Sequence, residues 1–496
     1  MQLYLERRGQ RPLYLQVVEQ IQERIRSGAL PVGSRLPPIR QLAGELGLTR
    51  LTVHNAYAEL QADGWIESYV GRGSYVAERP GAKAQVRPSP VLPPTPLLRP
   101  GALSEIIRLS HIPNMISFAQ AAAPPDTFPV QQFSAAVQHV LQEDGGALFD
   151  YGITQGELSV REQLSVFLRQ RSVDLPPEQI VVVAGAQQGM DVALRALVNP
   201  GDTVLVEQPT YLGMVERMQM QGLKLVAVPL DEQGIRPDAL EIAIEQHRPR
   251  LLYTIPSFHN PTGINMSCER QEALLDIARR HALPILEDDI YGFLSYDNPA
   301  PLPLRARDTS GIVIYLTSLA KVLMPGLRVG ALAAAPPLLE SLIAVKRLSD
   351  MHSPQLIQRA IAHYLASGHF SEHLRTINAL YRERRDAMLD SLARHFPADA
   401  TWTRPGGGFC CWVGLPPGIR SAELYDLALE RGVAFAPGQM FFPEQPAQSY
   451  MRLAFASHPP ETIERGIAVL GQLLHEQLAR RQRMLNRSFC ESVPMV

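Results

Sequence analysis

From about Ile180 the chain alternates short β-branched apolar runs with amphipathic stretches, and this alternation limits the available folds more than any other feature. Ile180–Ala184, Thr203–Glu207, Leu223–Val228, Leu251–Ile255, Pro284–Asp288, Ile312–Leu316 and Val329–Ala333 read as strands. Segments such as Met190–Val198 and Glu269–His281 have helical periodicity and lie between several of them. Such a pattern predicts a mostly parallel α/β sheet with ligands gathered at the strand ends. A smaller α/β region is expected from about Leu338 onward, with strands at Gly408–Gly414, Val433–Phe435 and Tyr450–Phe455. At 496 residues the chain needs two or three domains.

The stretch Ile312–Gly330 carries the sharpest chemistry. An apolar strand breaks into Thr317-Ser318-Leu319-Ala320-Lys321 and ends in Pro325-Gly326-Leu327-Arg328. Only four lysines occur in the whole chain: Lys83, Lys224, Lys321 and Lys346. Lys83 lies in a Pro-rich tract, Lys224 leads into an apolar strand, and Lys346 sits on a charged helix. Lys321 alone has hydroxyls before it and an arginine after it in an apolar setting. A lysine that forms a Schiff base needs an apolar, cation-rich pocket that lowers its pKa. Hydroxyls and a guanidinium are what a phosphate needs. A solvated surface lysine is the plain alternative.

Its companions favour the first reading. Ala184-Gly185-Ala186-Gln187 is a strand end opening into a helix, where backbone N–H groups can hold a phosphate. Tyr211 follows a strand, as a core tyrosine also would. Asn260 stands in Ser257-Phe258-His259-Asn260-Pro261-Thr262-Gly263, and Asp288, Asp289 and Tyr291 close another strand. Arg452 interrupts an apolar strand, which is costly unless the charge is paired, with a ligand or with a protein acid.

In this order the segments resemble fold-type I, class I/II aminotransferases over roughly Ile112 to Phe455. That resemblance implies pyridoxal 5'-phosphate as cofactor, with Lys321 as the Schiff-base lysine. It implies Asp288 on the pyridine nitrogen (Asp289 as the fallback), and Asn260 and Tyr291 on the 3-oxygen. Tyr211 would stack on the ring, while Ala186, Gln187, Ser318 and Arg328 would hold the phosphate. Arg452 would fork a substrate carboxylate, and Tyr151-Gly152 would be lent by the partner subunit of a homodimer. One departure stands at Ala119–Pro124, where the family usually has glycines close to the substrate.

The first eighty residues have a different pattern. Leu13 to Arg26 has apolar positions at Leu15, Val18, Ile21 and Ile25, a helix that Ser27-Gly28 stops. A short helix follows from Ile39 to Leu46. Thr49 can N-cap a third helix running to Ala62. Two β runs, Trp65–Tyr69 and Ser74–Val76, are joined by Val70-Gly71-Arg72-Gly73. Three helices and a β-wing make a winged helix-turn-helix. The segment from Leu36 to Ala77 resembles the GntR-family DNA-binding domain. By that resemblance the third helix enters the major groove of a double-stranded DNA operator, and Arg40, Thr49, Arg50, Thr52 and Arg72 contact DNA, with His54 as a further candidate. Residues 1–78 hold nine arginines, no lysine and eight acids, so the DNA signal is local and not one of overall charge. A winged helix used for protein contacts is the alternative.

The expected organisation is therefore a winged-helix domain over 1–79 and a Pro-rich spacer over 80–104. An aminotransferase-like domain over 105–485 completes it, with a large part at about 112–335 and a small part at about 338–485. Net charge is −2, and Cys268, Cys410, Cys411 and Cys490 show neither metal spacing nor a disulfide framework. With no signal peptide and no membrane span, a cytoplasmic protein is expected. The basic tail Ala479–Arg487 reads as the solvated end of a final helix. The combination resembles MocR/GabR-type regulators of the GntR family. It implies a PLP-dependent transcription regulator that senses an amino acid, an amine or PLP itself. The alternative is a working aminotransferase with a DNA-binding domain attached.

Overall fold

The computed structural model describes residues 3–5, 12–69, 73–77, 101–109, 112–297, 299–444, 447 and 449–491. Lys83, Arg72 and most of the expected spacer lie outside the described residues. The chain divides into two compact units, Met1–Leu97 and Leu98–Val496.

In the first unit the helices are Leu13–Arg26, Ile39–Leu46 and Arg50–Ala62, followed by the antiparallel pair Ile66–Tyr69 and Gly73–Val76. Local chemistry sets the boundaries. Gly47 ends the second helix in a left-handed conformation at φ 62°. The Thr49 hydroxyl accepts from the Thr52 N–H at 3.1 Å and caps the third helix. Val18, Ile21, Leu42, Val53, Leu60 and Trp65 form its core. Each of these buried side chains contributes roughly 1.5–3 kcal/mol.

The second unit is built on an eight-stranded sheet. Its strand order is Ile180–Val183, Gly330–Ala333, Val313–Ser318, Ile285–Asp288, Leu251–Thr254, Thr203–Gln208, Lys224–Asp231, Gly234–Ile235. Neighbours run parallel except Gly330–Ala333, which is antiparallel to both of its partners, and the terminal hairpin. The fully buried runs Ile180–Val183, Leu251–Thr254 and Val313–Ser318 explain why these segments read as continuous apolar stretches. Parallel order brings their C-terminal ends, and the loops that follow, to one edge.

A four-stranded antiparallel sheet forms the smaller part, in the order Thr401–Trp402, Cys410–Gly414, Tyr450–Ala454, Ala436–Pro437. The helices His369–His395 and Pro460–Glu491 belong to this part and pack against each other. Val433–Ala434, expected among those strands, pairs in parallel with Ile116–Ser117 instead. A helix at Ala102–Leu109 begins within the span expected to be spacer. No described helix is long and apolar enough to cross a membrane.

Candidate active site and DNA-binding surface

Loops after five strands converge on a cavity of about 290 Å³. Ala186, Gln187, Tyr211, Asn260, Tyr291, Ser318, Lys321, Arg328 and Arg452 all line it. These nine residues were singled out from sequence and span more than half of the chain.

Lys321 follows the strand Val313–Ser318. Its Nζ donates to the Ala121 carbonyl at 2.6 Å and sits 5.8 and 6.0 Å from the ring centres of Tyr291 and Phe409. Burial pulls its pKa down to about 8; Arg452 and Arg328 push the same way, against Cys410 and Asp288. Roughly a fifth of the amine is therefore neutral at about pH 7.4, far more than for an ordinary lysine, and the neutral form is the nucleophile.

Three successive acids at the end of the strand Ile285–Asp288 have three different fates. Glu287 accepts from the Leu304 and Arg305 N–H groups at 2.7 and 2.8 Å. Asp288 accepts from the Tyr253 hydroxyl at 2.8 Å, and burial raises its pKa to about 7. Asp289 forms a buried ion pair with Arg171 at 3.1 Å and accepts from Tyr315 at 2.6 Å. The fallback carboxylate is thus committed elsewhere, and Asp288 is the one near enough to Lys321 to influence its charge.

At the opposite end, Arg328 has a left-handed backbone at φ 54° and donates to the Ala184 carbonyl at 3.0 Å. Its guanidinium lies over Gly185, where a Cβ would come within 2.8 Å of Nη2. Gly185 is therefore required both by its φ of 78° and by this contact. Ser318 donates to the Val329 carbonyl at 3.2 Å and accepts from Ala320 N–H. Tyr211 accepts from Gln187 Nε2 at 2.7 Å, and Gln187 Oε1 accepts from Arg217 at 2.7 Å. Burial raises the Tyr211 phenol to about 12, so it stays protonated.

Arg452 is buried at 4% exposure. It donates to Asn260 Oδ1 at 3.0 Å and to the Ala119 carbonyl, and stacks 4.9 Å from the Phe441 ring centre. Its Nε has no partner, and no described carboxylate forms an ion pair with it. The protein-acid alternative is not what the structure contains.

Tyr151 does not line the cavity. It is 79% exposed, with its ring edge-on to His352 at 5.9 Å. The helix Ala102–Leu109 supplies a wall that the sequence reading missed, through Leu103, Ile106 and Ile107. Apolar residues spaced by three and four were the available signal. Cys410 is buried, and its Sγ lies 3.8 Å from Asn260 Oδ1.

In the first unit Arg40, Thr49, Arg50 and His54 are exposed and Thr52 half-buried, the last four on the first turns of one helix. Tyr57 fixes that helix to the preceding loop through the Pro37 carbonyl at 2.8 Å.

Residues 13–76 match the model of the bacterial regulatory proteins of the gntR family, and residues 114–470 that of aminotransferase class I and II. The uncharacterized HTH-type transcriptional regulator YdfD of Bacillus subtilis is 33% identical over 95% of this chain and 98% of its own. The probable rhizopine catabolism regulatory protein MocR of Rhizobium meliloti is 31% identical over 94% of each chain. LysN of Thermus thermophilus, an α-aminoadipate aminotransferase solved with N-(5'-phosphopyridoxyl)-L-leucine, covers 76% of this chain and 95% of its own. It has a TM-score of 0.71 at 34% identity. The chain belongs to the MocR-type regulators of the GntR family, DNA-binding transcription regulators that carry a class I/II aminotransferase domain. The cofactor of that domain is pyridoxal 5'-phosphate.

The residues present fit this cofactor. A lysine with a lowered pKa lies between a buried carboxylate on one side and a glycine turn under a guanidinium on the other. These would supply an imine partner, a charge for the ring nitrogen and an anion cradle to the bound cofactor.

Proposed function

We propose that the aminotransferase-like unit holds pyridoxal 5'-phosphate on Lys321 and senses an amino compound that carries a carboxylate. Binding of that effector changes the affinity of the winged helix for its operator. The bound cofactor supplies an electrophilic carbon for amines and an electron sink. Lys321 gives the amine, Asp288 the charge facing the ring nitrogen, and Asn260 and Tyr291 the donors for the 3-oxygen. Tyr211 covers the ring. Ala186 and Gln187, through the helix N-terminus, hold the phosphate with Ser318 and Arg328.

The observation that carries this reading is the buried Arg452 guanidinium without an acid partner, in the same cavity as Lys321. The residues lining the cavity include three cations and no carboxylate. An anionic ligand is what such a lining lacks. Leu103, Ile106 and Ile107 add an apolar wall on a helix that begins within the expected spacer, and through this helix occupancy of the cavity would act on the tether to the DNA-binding unit. Exposed Phe149, Tyr151, Ile153, Leu348 and Met351 support a homodimer in which Tyr151 of the second copy completes the phosphate site. In the first unit Arg40, Thr49, Arg50, Thr52, His54 and Arg72 face the operator, in the cytoplasm.

The joint presence of Lys321, Asp288 and Arg452 also favours a second reading, an aminotransferase that turns over. The visible absorbance of the purified protein, titrated with amino acids beside Lys321→Ala, tests both. A visible band absent from the variant is expected, and it should shift with an effector. Sustained production of keto acid with a keto-acid acceptor would select the enzyme. The absence of any band after adding cofactor would defeat both readings.

A further inference from the structure

Lys346, which reads from sequence as a residue of a charged helix, is fully buried in the helix Pro336–Asp350. Its Nζ donates to both oxygens of Asp350, at 2.8 and 2.9 Å, and to Ser353 Oγ at 3.2 Å. Removing an ammonium from water costs several kcal/mol, and a well-packed apolar residue is often as stable or more so. Stability alone gives no reason for a lysine here.

The Asp350 carboxylate has a second donor, Gln188 Nε2 at 2.7 Å. Gln188 Oε1 accepts in turn from the Ala184 N–H at 2.6 Å. The Ala184 carbonyl accepts from Arg328 at 3.0 Å. Ala184 is thus clamped on both sides, immediately before the Gly185 turn that opens the helix Ala186–Leu197. A glutamine amide can face either way. An ionised Asp350 can only accept, so it fixes which end of Gln188 meets it. Asp350 is partly exposed, and the two hydrogen bonds from the buried Lys346 hold its carboxylate in place.

We infer that Lys346, acting through Asp350 and Gln188, is a positioning residue for the anion-binding end of the cavity. It sets how tightly the phosphate group, as distinct from the pyridine ring, is held. This rests on the reading that Ala186, Gln187 and Arg328 receive the cofactor phosphate. The relay lies outside the cavity and acts on Ala184 and the Gly185 turn, not on Asp288 or Lys321; its one link toward the ring is Gln187, which donates to Tyr211 at 2.7 Å.

The test is equilibrium binding of pyridoxal 5'-phosphate and of phosphate-free pyridoxal to the full-length protein, Lys346→Met and Gln188→Met. Both variants should bind pyridoxal 5'-phosphate about tenfold more weakly, the scale of one lost hydrogen bond to a charged group. Pyridoxal binding should change little. Gln188→Met leaves the ion pair intact, so it decides alone if Lys346→Met does not fold. Equal losses for both ligands, or no loss for either, would overturn the inference. If the unsubstituted protein did not prefer the phosphorylated ligand, the assignment of the phosphate end would be wrong, and the relay would fall with it.

Discussion

Arg452 and Asn260, 192 residues apart in sequence, meet through a hydrogen bond of 3.0 Å in the interior of the second unit. The asparagine carbonyl satisfies only part of the guanidinium, and no described acid neutralises it. Replacing Arg452 with glutamine should therefore leave folding nearly intact, since it removes an uncompensated buried charge. Affinity for amino acids should fall about a hundredfold, the scale of roughly 3 kcal/mol for a charged bidentate contact. Simple amines without a carboxylate should bind as before. Titrating both ligand classes against cofactor-loaded protein checks this, and a parallel loss for amines would count against the assigned role.

Burial lowers the Lys321 pKa to about 8, so the reactive neutral amine increases as pH rises through that value. The rate of cofactor capture should rise about tenfold per pH unit between pH 6 and 7, following the neutral fraction, and level off above pH 8 to 9. Stopped-flow absorbance would measure it. A rate independent of pH over this range would place the lysine in a different environment.

Asp288 is held by Tyr253 and raised to about 7 by burial, with Lys321 pulling weakly the other way. A cationic ring nitrogen would stabilise its charged form, so below pH 7, where the free carboxyl holds a proton, Asp288 should give that proton up on cofactor binding. Asp288→Asn keeps the Tyr253 contact but removes the charge. It should weaken cofactor binding by one to two orders of magnitude, about 1.5–3 kcal/mol. Asp289→Asn should act differently, because it breaks the buried pair with Arg171. Its effect should be on thermal stability, by about 3 kcal/mol or more.

In the first unit, Thr49→Ala removes the hydroxyl that accepts from Thr52 N–H and should cost about 1 kcal/mol of that unit's stability. Arg50→Ala should leave stability unchanged and weaken operator binding by about 1–3 kcal/mol if it reads a base. If it meets a phosphate, the loss should be alike for all sequences and lower the salt dependence by about one ion. Binding isotherms at several salt concentrations separate these outcomes.

Much of this structure was legible because its signals are local. The helices Leu13–Arg26 and Ile39–Leu46 end where serine and glycine punctuation stops them, and the buried strands announce themselves as apolar runs. The Arg452 segment was recognisable because a charge interrupts an apolar strand, the Lys321 segment by its hydroxyls and arginine, and the Asn260 segment by its Asn-Pro-Thr-Gly turn. What stayed hidden depends on distant partners. Adjacent strand residues point to opposite faces, so Asp288 and Asp289 had to differ, but which faced Lys321 depends on the assembled sheet. Lys346 looked solvated because its neighbours are charged, and only the packing of its helix on Ala186–Leu197 buries it. The pairing of Val433–Ala434 with Ile116–Ser117 joins segments more than 300 residues apart, which no local pattern encodes.

The central claim is that ligand in the Lys321 cavity and DNA on the winged helix are energetically coupled, and coupling of this kind must be reciprocal. The most direct measurement is the anisotropy of labelled operator DNA titrated with cofactor-loaded protein, with and without the amino acid that shifts the visible band. A change in DNA affinity of fivefold or more, on the order of 1 kcal/mol, is expected for the unsubstituted protein and not for Lys321→Ala. Identical DNA affinity with and without that ligand in the unsubstituted protein would contradict the account.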